Sequence, residues 1–269
     1  MSCPNNLFEG DTYDTPPGRR SWEDRLLLGN RFHFYLRNFW IFCQTGCCAR
    51  RGHLTAERQI HYSNGNIRLV EACGGIIHLR GLDHLRQLEG RPVILMGNHM
   101  SMLETAVFHA IVRPHLDFTF VIKQSLLKVP FFGWIMQSLA AIPVGRSNPR
   151  EDLKAVLKQG KQLLQSGRSI ILFPQATRST DFNADSFNSI GVKLAKAAGV
   201  EIVPFALKTD FIGNGKYLRD FGPIHRDRQI YFEFGAPVRV EGNGKQELQQ
   251  LTAFTADRLN RWAQEQAVR

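Results

Sequence analysis

The sequence predicts an α/β fold, a mostly parallel sheet flanked by helices, with an N-terminal amphipathic helical membrane-association segment. Three observations carry this expectation. Short apolar runs bounded by turn residues, among them "GIIHLRG", "RPVILMGN" and "SIILFP", recur along the chain and alternate with longer helical patterns. Strands of a parallel sheet read as such runs because helices cover both of its faces. The chain has 269 residues, of which 43% are hydrophobic, so it is long enough to bury a large core.

Three regions follow in order. Residues 1–22 are a polar N-terminus containing Pro16-Pro17-Gly18, with neither the apolar core of a signal peptide nor that of a spanning helix. Residues 23–72 form the helical membrane-interface segment. Within "LLLGNRFHFYLRNFWIF", Leu28, Phe32, Tyr35, Phe39 and Phe42 fall at i, i+4, i+7, i+11 and i+14, an apolar stripe on one helix from Leu26 to Phe42. Asn30, Arg31, His33, Arg37 and Asn38 interrupt it, which rules out a run of about twenty apolar residues able to cross a bilayer. Between Gly18 and Arg51 seven arginines meet only Glu23 and Asp24, a local charge of +5. Arginines flanking Trp40 and an aromatic stripe suit a helix lying in a membrane interface, with Phe32, Tyr35, Phe39, Trp40 and Phe42 as its contacts. A helix packed on the protein's own core gives the same stripe, and the pattern alone leaves both readings open. A hydrophilic helix is expected from Thr55 to Ala72.

Residues 73–269 make the α/β domain. After the first two strands, a helix is expected from Met102 to Val112, then the strand "LDFTFVIK" and a helical stretch kinked at Pro130. Asn148 caps the next helix, with Pro149 at its first position and Glu151-Asp152 in its first turn. The strand "SIILFP", a helix ended by Gly199, the strands "EIVPFAL" and "QIYFEFG", and a C-terminal amphipathic helix complete the domain.

The formal charge of +10 favours an anionic partner. No basic run and no basic-aromatic module points to nucleic acid. Five cysteines, an odd number confined to the first third of the chain, argue for reduced thiols rather than a disulfide framework. Cys43, Cys47, Cys48 and His53 lack two matched ligand pairs, so no metal is expected.

Chemistry concentrates in "NHMSMLE", where Glu104 follows His99 by five residues. That spacing is not informative by itself, since His78 and Asp83, and His84 and Glu89, share it. Only His99 stands at the carboxyl end of a buried strand, where open α/β sheets form ligand crevices. Five residues turn a helix by roughly 500°, so His99 and Glu104 meet only if a loop holds the first and a helical turn the second. A second strand exit, "FPQATRS", crowds Gln175, Thr177, Arg178 and Ser179 together, donors suited to a phosphate monoester. Arg146, in "VGRSNPRED", precedes a helix N-terminus, another position that favours anions.

"NHMSMLE", "VGRSNPRED", "FPQATRS" and "IVPFAL" stand in the order and at roughly the intervals of four blocks of the glycerolipid acyltransferases, so the chain resembles the PlsC-like lysophosphatidate acyltransferase family over about residues 74–240. The resemblance implies transfer of a fatty acyl group from an acyl thioester to the free hydroxyl of a lysophospholipid at the membrane surface. It implies His99 as base and Glu104 as its partner, Arg146 and Arg178 on the acceptor's phosphate, and Pro204 in a block that forms shape. Asn98, Ser101, Gln175, Thr177 and Ser179 complete the expected substrate site. The family usually carries Asp where Glu104 stands and Glu-Gly where Gln175-Ala176 stand, which leaves the head group open. Related acyltransferases that acylate lipid A carry a similar His-Glu pair and compete for the substrate class. A hydrolase using the same dyad on water and a non-catalytic lipid-binding relative are the other readings.

No cofactor is expected beyond the donor substrate, acyl-CoA or acyl carrier protein. The expected partners are the lysophospholipid acceptor, that donor and an anionic membrane surface, with the protein associated with the membrane on its cytoplasmic face.

Overall fold

A computed structural model describes residues 6–175, 177–215 and 220–267. Among these residues, eight strands form one sheet: β1 (Tyr13–Asp14), β2 (Ile77–Arg80), β3 (Ile94–Gly97), β4 (Phe118–Lys123), β5 (Ile142–Val144), β6 (Ser169–Leu172), β7 (Ile202–Lys208) and β8 (Ile230–Phe234). Their spatial order is β1-β2-β8-β7-β3-β6-β4-β5. The central strands run parallel, β3 between β6 and β7, while β8 is antiparallel to β7 and β1 to β2. The mostly parallel sheet expected from the apolar runs is therefore present.

Helices cover both faces. Those on the first face are α2 (Arg31–Arg50), α3 (Ala56–Ala72), α5 (Leu103–Ile111) and α6 (Phe132–Ser138). On the second are α7 (Pro149–Gln165), α8 (Ile190–Ala198) and α9 (Lys245–Ala267). Two single-turn helices, α1 (Trp22–Leu26) and α4 (Leu82–Arg86), precede α2 and follow β2. Strand alternation divides the core between the faces: Leu95, Ile171, Val203 and Phe205 join one apolar cluster, and Ile94, Met96, Ile170 and Ile202 the other.

Caps set the helix bounds. The Asn148 side chain accepts from the Arg150 and Glu151 N–H groups with Pro149 next, and Gly199 ends α8 in the left-handed region, φ 69°. The helix expected from Leu26 to Phe42 is broken instead. Leu28 and Gly29 take φ of 51° and 67°, and Asn30 starts a new helix by accepting from the Phe32 N–H. At Gly29 the backbone also lies against the Arg226 guanidinium, where a Cβ would come 3.0 Å from Cζ.

Residues 6–22 pack against the domain. Phe8 is buried, Tyr13–Asp14 extend the sheet, and Asp24 of α1 binds Arg20 and Arg226, tying the segment to the domain. Residues from α2 and α3, Phe34, Tyr35, Ile67 and Val70, share one core with Phe108 and Phe205.

The aromatic face differs from its expected composition. Phe32, Phe39 and Trp40 are exposed, together with Leu36, whereas Tyr35 is buried and Phe42 is half-buried against Phe131. The helical turn explains this. Phe32, Leu36, Phe39 and Trp40 spread over roughly 100° of arc, and Tyr35 and Phe42 lie beyond one edge of it, toward the core. The Tyr35 hydroxyl donates to the Gly222 carbonyl at 2.9 Å. No helix of the described residues is long and apolar enough to cross a membrane.

Candidate active site

His99 follows the carboxyl end of β3 in a loop, and Glu104 stands in the first turn of α5. The loop folds back so that His99 Nδ1 and Glu104 Oε2 are 2.6 Å apart. Glu104 is fully buried, a position a carboxylate occupies only with partners. Its second oxygen, Oε1, accepts from the Ser101 N–H at 2.8 Å, from Ser101 Oγ at 3.2 Å and from the Thr209 hydroxyl. The carboxylate is thus fixed on one side by β7's exit and presented to the imidazole on the other. The imidazole stacks on Phe173, centroids 4.1 Å apart and planes within 19°.

The second strand exit reaches the same place. The Ser179 N–H donates to the His99 carbonyl at 2.9 Å, and Gln175 Oε1 accepts from the His99 N–H at 3.1 Å. Arg178, between them in sequence, forms an ion pair with Asp220. Both residues of that pair line a cavity of about 360 Å³ that also reaches Met102 and Thr105, just past His99. Its walls are largely apolar side chains, among them Phe42, Ala106, Ile135 and Met136, with polar residues of α2, α3 and α5 between them. The histidine loop and the arginine loop therefore border one hollow.

Several expected substrate contacts have other partners. Asn98 is buried and exchanges two hydrogen bonds with the Leu207 backbone, 2.8 and 2.9 Å, which joins the tip of β3 to β7. Ser101 is also buried, and besides Glu104 it accepts from the Leu103 N–H at the start of α5. Gln175 spends its carbonyl oxygen on the histidine loop. Pro204 faces the opposite side of the sheet, where it packs with Gly235 and Phe254 of α9 and lines a separate hollow. Strand alternation forces this, since its neighbour Phe205 already points to the histidine side.

Thr177 is exposed beside Arg178, and the Ser179 hydroxyl donates to the Asp181 carbonyl. Arg146 is exposed with φ 64°, its N–H donating to Asp152 at the start of α7. It lies on the same edge of the sheet but follows β5, three strands from β3, or roughly 14 Å at the usual strand spacing. Ala176 lies outside the described residues.

The two other histidines with a carboxylate five residues on are built into the frame. His78 pairs with Asp14 at 2.5 Å and with Gln229 at 3.0 Å, not with Asp83, and His84 lies 3.6 Å from Asp83 rather than beside Glu89. Thr209 and Asp220 escaped sequence reasoning. Thr209 follows β7 as His99 follows β3, and only the adjacency of those strands shows that the two tips meet.

Comparison with known proteins agrees with this architecture. The family model described as Acyltransferase matches residues 76–208. The chain is 30% identical over 200 residues to a 1-acyl-sn-glycerol-3-phosphate acyltransferase of Pseudomonas aeruginosa, covering 74% of this chain and 72% of that one. It is also 30% identical over 142 residues to the chloroplastic 1-acyl-sn-glycerol-3-phosphate acyltransferase LPAT1 of Arabidopsis thaliana, covering 53% of this chain and 37% of that one. The crystal structure of PlsC, the 1-acyl-sn-glycerophosphate acyltransferase of Thermotoga maritima, superposes with a TM-score of 0.63 at 20% identity, over 92% of this chain and 98% of that one.

Proposed function

The chain belongs to the acyltransferase family, and from that premise we propose that it moves a fatty acyl group from an acyl thioester to the free hydroxyl of lysophosphatidate at a membrane surface, with His99 as the base. The observation that carries this reading is the 2.6 Å contact between His99 Nδ1 and a buried Glu104, flanking a loop and helix start whose Met102 and Thr105 line a largely apolar cavity.

Glu104 occupies Nδ1, which assigns the proton there and leaves Nε2 as the nitrogen that accepts one. The acceptor's hydroxyl gives its proton to Nε2 as its oxygen attacks the thioester carbonyl. The carbon–sulfur bond then breaks, the imidazolium returns the proton to the departing thiolate, and an ester and a free thiol result. Glu104 stabilises the transient imidazolium, and the Phe173 ring holds the imidazole in plane. The acyl chain lies in the cavity with its carbonyl at the dyad. Arg178, at the cavity's border, takes the acceptor's phosphate, which displaces Asp220 from the guanidinium by offering more oxygen acceptors. Arg146, an exposed cation along the same edge, guides anionic substrates toward it.

Membrane contact is assigned to the exposed Phe32, Leu36, Phe39 and Trp40 with the arginines around them. Acyl-CoA and acyl carrier protein both present the thioester this chemistry needs. The test is product analysis by mass spectrometry with both donor types and a panel of lysolipids. Phosphatidate is expected from lysophosphatidate, and His99→Ala should lower its formation on the order of a hundredfold or more while the protein stays folded. Acyl release at the same rate with and without lysolipid would identify a hydrolase instead.

A further inference from the structure

The basic excess of the chain is not spread evenly. From Leu153 to Arg168 and from Ser186 to Val200 there is no acidic residue, and these stretches hold most of α7 and all of α8. On α7, Arg150, Lys154, Lys158 and Lys161 stand at i, i+4, i+8 and i+11, within about 80° of arc on one side of the helix, and all four are exposed. The neighbouring α8 lies so close that a Cβ on Gly160 would come 2.7 Å from Leu194 Cδ2, and it adds the exposed Lys193 and Lys196. Val156, Leu164, Val192 and Leu194 turn the other sides of the two helices toward the core.

Elsewhere on the protein cations meet acids. Arg80 pairs with Asp14, Arg113 and Arg168 with Asp117, and Arg258 and Arg261 with Glu233. On this face, among the described residues, Arg150, Lys158, Lys161, Lys193 and Lys196 form no ion pair. The two acids in the first turn of α7 are already engaged. Glu151 pairs with Lys154 at 3.0 Å, and Asp152 accepts from the Gly145 and Arg146 N–H groups. Uncompensated cations gathered on one surface draw a partner of opposite charge.

We propose that the outer face of α7 and α8 docks an acidic protein that carries the acyl thioester on a flexible arm, an acyl carrier protein. Three features favour such a carrier over other anions. The stripe from Arg150 to Lys161 is roughly 16 Å long, the span of a helix face rather than of a small coenzyme. It lies across the sheet from the exposed aromatic residues of α2, so roughly 20 Å of helix and sheet separate it from a membrane that α2 touches, more than the screening length of about 8 Å at physiological salt. Neither helix contains an aromatic residue, so the face offers carboxylates their cations but offers nucleic-acid bases no ring to stack on. Face and dyad share one edge of the sheet. The helix α7 begins where β5 ends, and α8 follows the loop whose Gln175 and Ser179 hold the His99 backbone. From β5 to β3 is about 14 Å at the usual strand spacing, which an arm of about a dozen or more bonds covers.

This inference rests on the acyl-transfer reading and is tested separately from it. Lys158→Glu, Lys161→Glu and Lys193→Glu are combined in one variant, and the same acyl chain is offered on acyl carrier protein and on coenzyme A with lysophosphatidate as acceptor. All three side chains are exposed, so the melting temperature should stay within a few degrees. The ratio of kcat/KM with the carrier donor to kcat/KM with the coenzyme donor should fall about tenfold or more in the variant, chiefly through KM. Binding of unacylated acyl carrier protein, read by fluorescence anisotropy, should weaken by a similar factor. Lys158→Gln, Lys161→Gln and Lys193→Gln together should give an intermediate ratio. An unchanged ratio, an equal loss with both donors, or no binding of the carrier by the unaltered protein would overturn the proposal. So would a severalfold loss of sedimentation with anionic vesicles in the glutamate variant, which would make the face a membrane contact. If neither donor yields product, the acyl-transfer reading is what fails, and the anisotropy titration alone then decides whether this face docks the carrier.

Discussion

Thr209, at the tip of β7, donates its hydroxyl to the same Glu104 oxygen that accepts from the Ser101 backbone. The carboxylate is thereby anchored by two elements distant in sequence, and its free side is aimed at His99. Thr209→Val keeps the side chain's shape and removes the anchor. The expected result is a fall in kcat of roughly tenfold with little change in KM, measured by steady-state kinetics of acyl transfer.

Glu104→Gln keeps the volume but removes the charge that supports the imidazolium, and its amide group competes for the tautomer. It should lower kcat more than Thr209→Val does, on the order of a hundredfold. Glu104→Asp keeps the charge on an arm one methylene shorter, so it should fall between the wild-type protein and Glu104→Gln. A ranking with Asp below Gln would show that reach matters more than charge.

His115 gives the stability of the fold a definite slope with pH. Burial, aided by Arg86, pushes its imidazole down to about 4. The unfolded chain, with an ordinary histidine near pH 6.5, binds the proton first, so stability is complete above about 6.5 and is lost as pH falls from there toward 4. Buried His109, also shifted downward, acts in the same direction. Urea unfolding at pH 7 and pH 5 should show the loss, and His115→Gln should make it shallower.

Gly46 marks the closest approach of α2 to the turn before α6. A Cβ there would come 2.5 Å from Phe131 Cβ and 2.8 Å from its Cα, and Phe131 itself sits at φ 62°. The neighbour is backbone as well as side chain and cannot swing away. Gly46→Ala should therefore destabilise the protein by about 1–3 kcal/mol, read from its denaturation midpoint.

Phe32, Leu36 and Trp40 are exposed at four-residue spacing on α2. Replacing all three by serine removes apolar surface that is mostly open to solvent. Sedimentation with vesicles rich in anionic lipid should drop severalfold, while the melting temperature should stay within a few degrees.

The mostly parallel sheet and the meeting of His99 with Glu104 were legible because both follow from local pattern: apolar runs alternating with helices, a strand end, and a spacing that demands a loop. Arg178 was legible as a cation at a strand exit, but its pairing with Asp220 was not, since that contact spans 42 residues and depends on sheet order. Asn98, Ser101 and Gln175, expected at the substrate, all have partners within the fold, and for one reason. Polar residues near a catalytic base also have to satisfy the buried strand tips around it, and these three do so. The walls of the cavity stayed hidden in α3, whose Gln59, Ser63 and Asn66 read as a solvated face but turn inward. Apolar periodicity cannot find a helix that buries its polar side.

The two sides of α2 have different neighbours: Phe32, Leu36 and Trp40 face outward, while Asn38, Phe42 and Thr45 line the cavity. On this side one helix forms the wall between the outside surface and the hollow, and the half-exposed Phe39 belongs to both. Cutting away the first fifty residues to obtain a better-behaved enzyme would therefore strip one wall from the hollow and, on the proposed reading, weaken binding of fatty chains together with attachment to lipid.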